Sequence, residues 1–89
     1  MPSTFETSTQ VFLLERDSGV LCRIFGLYAA RGIDIEYAEY AHAAPRAMVL
    51  TVTATAEVEL LRVLVAKAAS LVGVIEAAER SQMRSARMA

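Results

Sequence analysis

Arg16-Asp17-Ser18-Gly19-Val20-Leu21 marks a change of period in this chain. Ahead of it lies Val11-Phe12-Leu13-Leu14, a continuous apolar run that suits a central strand. Behind it, Val20, Leu21, Ile24, Leu27 and Tyr28 recur at helical spacing. The stretch is therefore a strand, a tight turn and the start of a helix. A helix start presents free backbone N–H groups and the positive end of the dipole, so it can receive a carboxylate or phosphate. Gly19 lacks a Cβ and permits close approach, and Ser18 or Asp17 can supply the capping oxygen. Most corners of this kind are only corners, so the turn alone does not establish binding.

Outward from the corner the pattern continues in both directions. Residues 1–9 are a flexible lead-in or the early part of the first strand, which is expected from about Thr9 to Glu15. The first helix is expected over Ser18–Ala30, closed by Gly32 where a positive φ is needed. Gly26 sits mid-helix at a cost of up to about 1 kcal/mol, which close helix–sheet or helix–helix contact would explain. A second strand begins at Ile33, with Ile33, Ile35 and Tyr37 on one face. Glu39 then falls on that apolar face and Tyr40 opposite, which predicts a bulge near Ala38 on an edge strand. Ala43-Ala44-Pro45-Arg46 is the next turn. Ala47–Thr53 alternates as a third strand. A second helix starts near Thr55 as N-cap, with Glu57 in its first turn and a stripe of Leu60, Leu61, Leu64, Ala68 and Leu71. Gly73 ends it, Val74–Glu79 is a fourth strand, and 81–89 is expected to be a flexible tail.

The order β-α-β-β-α-β predicts an α+β, ferredoxin-like sandwich over residues 10–80. It is a four-stranded antiparallel sheet in the order 4-1-3-2 with both helices on one face.

Composition limits what such a fold can do here. At 89 residues there is one domain, burying only about 60–65% of its unfolded surface. It is 55% hydrophobic and 21% charged, so some apolar surface is expected to be covered by another subunit. A net charge of −1 offers no footprint for nucleic acid. The strand positions an RNA-binding domain would fill with aromatics hold Val49, Thr51 and Thr53. The lone Cys22 and the absence of a long apolar run or leader predict a cytoplasmic protein away from membranes. His42 and Cys22 fall on different elements, the first loop lacks paired cysteines for a metal, and no phosphate-binding glycine motif occurs. Catalysis is the weakest class, with no catalytic, cofactor or metal residue to name. A small enzyme of this fold is the least favoured alternative.

Phe12-Leu13-Leu14-Glu15-Arg16-Asp17-Ser18-Gly19-Val20-Leu21, followed by Ile24-Phe25-Gly26-Leu27-Tyr28-Ala29-Ala30-Arg31-Gly32-Ile33-Asp34-Ile35-Glu36, resembles an ACT domain. The likeness covers residues 10–79. Within that superfamily it is most similar to the short regulatory (small) subunit of acetohydroxyacid synthase, also called acetolactate synthase. The resemblance implies a homodimer formed through strand two, with Ile35, Tyr37 and Glu39 along the edge. It implies an effector site at Arg16, Asp17, Ser18, Gly19, Val20 and Leu21, for valine or another small amino acid. It implies a non-catalytic subunit that binds a thiamine diphosphate-dependent synthase in branched-chain amino-acid synthesis, raises its activity and can confer feedback inhibition. The alternative is a stand-alone amino-acid-sensing module with no synthase partner. The chain departs from the family pattern at one point. Three residues before the glycine the family carries Asn or Asp, which meets the ligand ammonium, and Arg16 stands there instead. A guanidinium repels an ammonium, so weak valine binding or an anionic effector is expected.

Overall fold

The computed structural model describes residues 4–81. The elements are β1 (Phe5–Glu15), α1 (Ser18–Ala30), β2 (Ile35–Ala44), β3 (Ala47–Glu57), α2 (Val58–Ala69) and β4 (Val74–Ser81). The four strands form one antiparallel sheet in the order β2-β3-β1-β4. The expected fold class and strand order hold.

Why the helices share one face follows from the alternation of β1 and β3. Phe12 and Leu14 of β1 and Leu50, Val52, Ala54 and Ala56 of β3 point one way and are buried. Val20, Ile24 and Tyr28 of α1, with Leu61, Leu64 and Ala68 of α2, close over them. The opposite face carries Thr7, Thr9 and Val11 of β1, register partners of Thr55, Thr53 and Thr51 of β3. Each fully buried large side chain contributes on the order of 1.5–3 kcal/mol, so this one-sided core is the main source of stability.

Five expectations need correction. β1 begins at Phe5, so residues 5–8 belong to the strand; they pair with Glu57–Ala54 of β3. β3 accordingly runs on to Glu57. Thr55 is a strand residue, and Glu57 takes the N-cap position of α2 without a side-chain capping bond. Ile33 precedes β2 and drops into the core. The bulge in β2 lies at Glu36, not Ala38: Ile35 pairs with Ala54 and Tyr37 with Thr53, leaving Glu36 extra. That insertion separates Ile35 from Tyr37. Ile35 and Tyr40 pack against the core, whereas Tyr37 and Glu39 sit on the uncovered face opposite Thr53 and Thr51. Finally, a Cβ built at Gly26 meets nothing within 4 Å, so no contact among the described residues accounts for that glycine.

The tail expected over 81–89 falls outside the described residues except for Ser81, which ends β4. Among the described residues no helix is long and apolar enough to cross a membrane.

Candidate functional site

The corner between β1 and α1 is built by local chemistry. Asp17 is extended (φ −155°, ψ 114°), and its Oδ1 accepts from the Gly19 N–H at 2.8 Å. Its carbonyl accepts from the Val20 N–H at 3.0 Å. The helix start is therefore already partly neutralised by the chain's own carboxylate. Of the expected effector residues, Arg16, Asp17 and Ser18 are exposed at the surface. Val20 is not brought to the same surface: its side chain is 2% exposed and belongs to the core, with Leu21 packed beside it.

Two other loops meet this corner. The Arg16 N–H donates to the Arg46 carbonyl at 3.2 Å, and the Arg16 Nη1 donates to the Pro45 carbonyl at 3.2 Å. The guanidinium thus lies along the β2–β3 turn. The Glu15 N–H donates to the Gly73 carbonyl at 2.8 Å, tying in the α2–β4 loop. Gly73 has a φ of 96°, and a Cβ there would overlap the Val20 methyl Cγ2. The β1–α1 corner and the β2–β3 turn, with Ile75 of β4, line an open groove whose charged walls are Glu15, Arg16, Asp17 and Arg46, with Pro45 and Ile75 as apolar patches. Its walls thus carry two cations and two carboxylates, and the lining holds no nucleophile with an adjacent base.

Sequence reasoning placed Arg16 at the mouth of the corner but missed Arg46 and Pro45. Their only signal was the turn sequence itself, since the strand order 4-1-3-2 puts that turn beside the end of β1. His42 and Cys22 are both exposed and lie on β2 and α1. Among the described residues no cluster of His, Cys, Asp or Glu is gathered to hold a metal ion.

A second polar feature lies inside. Tyr28 Oη donates to Gln10 Oε1 at 2.8 Å, Gln10 Nε2 to Ser8 Oγ at 2.8 Å, and Ser8 Oγ to Glu79 Oε2 at 3.0 Å. Gln10 and Ser8 are fully buried on the helix-facing side of β1. Among the described residues no buried polar side-chain atom lacks a partner. Burial first, and the Glu79 charge second, push the Tyr28 phenol well above its usual range.

With this geometry in place, likenesses to solved structures are informative about architecture. The ACT domain from GTP pyrophosphokinase of Chlorobium tepidum superposes with a TM-score of 0.73 at 16% identity, over 85% of this chain and 99% of that one. The fold is that of an ACT domain. The acetolactate synthase small subunit from Thermotoga maritima gives 0.72 at 19% identity, over 83% of this chain and 47% of that one. The C-terminal domain of the MgtC protein from Mycobacterium tuberculosis gives 0.73 at 14% identity, over 91% and 92%. At these identities the likeness is one of fold. No protein-family model matches the sequence, and no curated protein matches it.

Proposed function

We propose that this chain is a non-catalytic regulatory subunit that pairs with a second copy through β2 and acts on a thiamine diphosphate-dependent acetohydroxyacid synthase. The observation that carries the reading is the segment from Gly26-Leu27-Tyr28 to Ile33-Asp34-Ile35-Glu36, which resembles the small-subunit pattern. The ACT fold, shared with an acetolactate synthase small subunit, supports it at the level of architecture. Pairing through β2 is supported by its edge position and by ten residues without a lysine or proline to blunt it. Mixing the chain with a synthase catalytic subunit is expected to yield a complex and higher synthase activity. Failure of both would overturn the regulatory role.

A stand-alone amino-acid sensor is the second reading. It is favoured by the match to nearly the whole of an ACT domain from a different enzyme, and it predicts ligand binding with no effect on a synthase. Under either reading the effector docks at the β1–α1 corner. The Arg16 guanidinium at its mouth opposes a ligand ammonium by on the order of 1 kcal/mol in a wet site. Arg16→Asn should therefore tighten valine binding about five-fold in isothermal titration. Tight native binding that the variant fails to improve would show that Arg16 lies clear of the ligand.

A further inference from the structure

The edge strand β2 carries its own register marks. Glu36 and Ala43 are unpaired insertions against β3, because the register shifts between Ile35 and Tyr37 and again between His42 and Ala44. Regular ladder geometry is confined to the stretch from Tyr37 to His42. Within it Tyr37, Glu39 and Ala41 lie on the uncovered face, across from Thr53, Thr51 and Val49. Ala38, Tyr40 and His42 lie on the helix side, across from the buried Val52, Leu50 and Met48.

Two copies that pair antiparallel along β2 are related by a two-fold axis perpendicular to the sheet, which keeps all helices on one side. Residues directly opposite one another in a sheet share a face. The axis must then pass through a residue facing its own copy, not between two residues. Centring it on Ala38 or Ala41 leaves a ladder only from Tyr37 to Glu39 or from Tyr40 to His42. Centring it on Glu39 or Tyr40 gives the longest regular ladders, Tyr37 to Ala41 or Ala38 to His42. The Glu39 register sets two carboxylates directly opposite each other, which is destabilising. The Tyr40 register sets Glu39 against Ala41 and brings two tyrosine rings together. Each ring already packs on its own core from the helix side. Aromatic pairs at this spacing are favourable beyond their buried area.

We infer that this chain pairs with a second copy of itself with Tyr40 on the two-fold axis, Glu39 facing Ala41 and Ala38 facing His42. The inference rests on the proposed pairing through β2 and adds its register. The two tyrosine rings then bridge the cores of the two subunits beneath a continuous sheet.

Spin labels at single introduced cysteines, in a Cys22→Ala background of the full chain, measure the register without touching Tyr40 or Glu39. Ala38→Cys and His42→Cys place labels two residues either side of the proposed axis. Each label then lies about 14 Å, Cα to Cα, from the same position in the other copy. Equal dipolar broadening at the two positions is the expected result. An axis at Glu39 would give about 8 Å at position 38 and about 21 Å at position 42, and that inequality would overturn the Tyr40 register while leaving the dimer intact. A sedimenting dimer with no broadening at either position would overturn pairing through β2. A folded monomer at micromolar concentration would overturn the dimer itself.

Discussion

Two glycines illustrate how differently one residue type bears on stability in this chain. Gly73 adopts a φ of 96° and lies so close to Val20 that a Cβ would overlap its methyl group. Backbone strain and steric conflict add there, so Gly73→Ala should destabilise by about 2–4 kcal/mol in chemical denaturation. Gly26 has a helical φ and open space around it, so Gly26→Ala should stabilise the folded chain by about 0.5–1 kcal/mol. A drop in stability at position 26 would reveal a close contact made outside the described residues. Sequence alone marked both glycines but assigned Gly26 to a close helix–sheet or helix–helix contact. The error arose because helical periodicity shows which side of α1 is apolar, not what lies against its outer side.

At the scale of the elements, the polar chain from Tyr28 to Glu79 links α1, β1 and β4 through the interior. Tyr28→Phe would leave Gln10 Oε1 buried without its donor and should cost about 1–3 kcal/mol. The same phenol creates an alkaline dependence. Its proton is held more tightly in the folded chain than in the unfolded one, because burial and then Glu79 disfavour the phenolate. This contribution is present below the unfolded value near pH 10 and is lost as the pH rises beyond it. Denaturation midpoints between pH 8 and 11 should fall for the native chain and fall less for Tyr28→Phe; equal slopes would show that the phenol does not contribute. Much of the element structure was legible because its signals are local. Asp17 caps α1, Gly32 closes it with a φ of 66°, and both are read from neighbours in the chain. The bulge at Glu36 was misplaced because parity within β2 admits several insertion points, and only the pairing with β3 selects one. Thr55 reads as a helix N-cap, which cuts the third strand short at Thr53. The strand's period of two was the signal that should have won, since Ala54 and Ala56 are buried on the core face. By the same alternation Ser8 and Gln10 fall in line with Phe12 and Leu14, so the interior polar chain was visible in principle. Its partners Tyr28 and Glu79 were not, because they come from distant segments.

For the whole molecule, the proposed dimer makes stability a function of concentration. Mass action raises the melting temperature as copies pair, by about 3–5 °C for each tenfold increase in a chain of this length. A melting temperature independent of concentration would indicate a monomer under those conditions. Of the candidate groove, the corner was legible and its far wall was not, because the β2–β3 turn reaches Arg16 only through sheet order. That convergence also orients the molecule. The β1–α1 corner, the β2–β3 turn and the α2–β4 loop crowd one pole of the sheet, tied by the bonds from Glu15 and Arg16. The beginning of β1 and the end of β4 lie side by side at the other pole, with Ser8 across from Ser81. The chain enters β1 and leaves β4 at that pole, away from the groove. The start of β1 and the end of β4 thus lie at the pole opposite the candidate groove, and a short linker from β4 back to β1 would allow the described domain to be circularly permuted without crossing the groove.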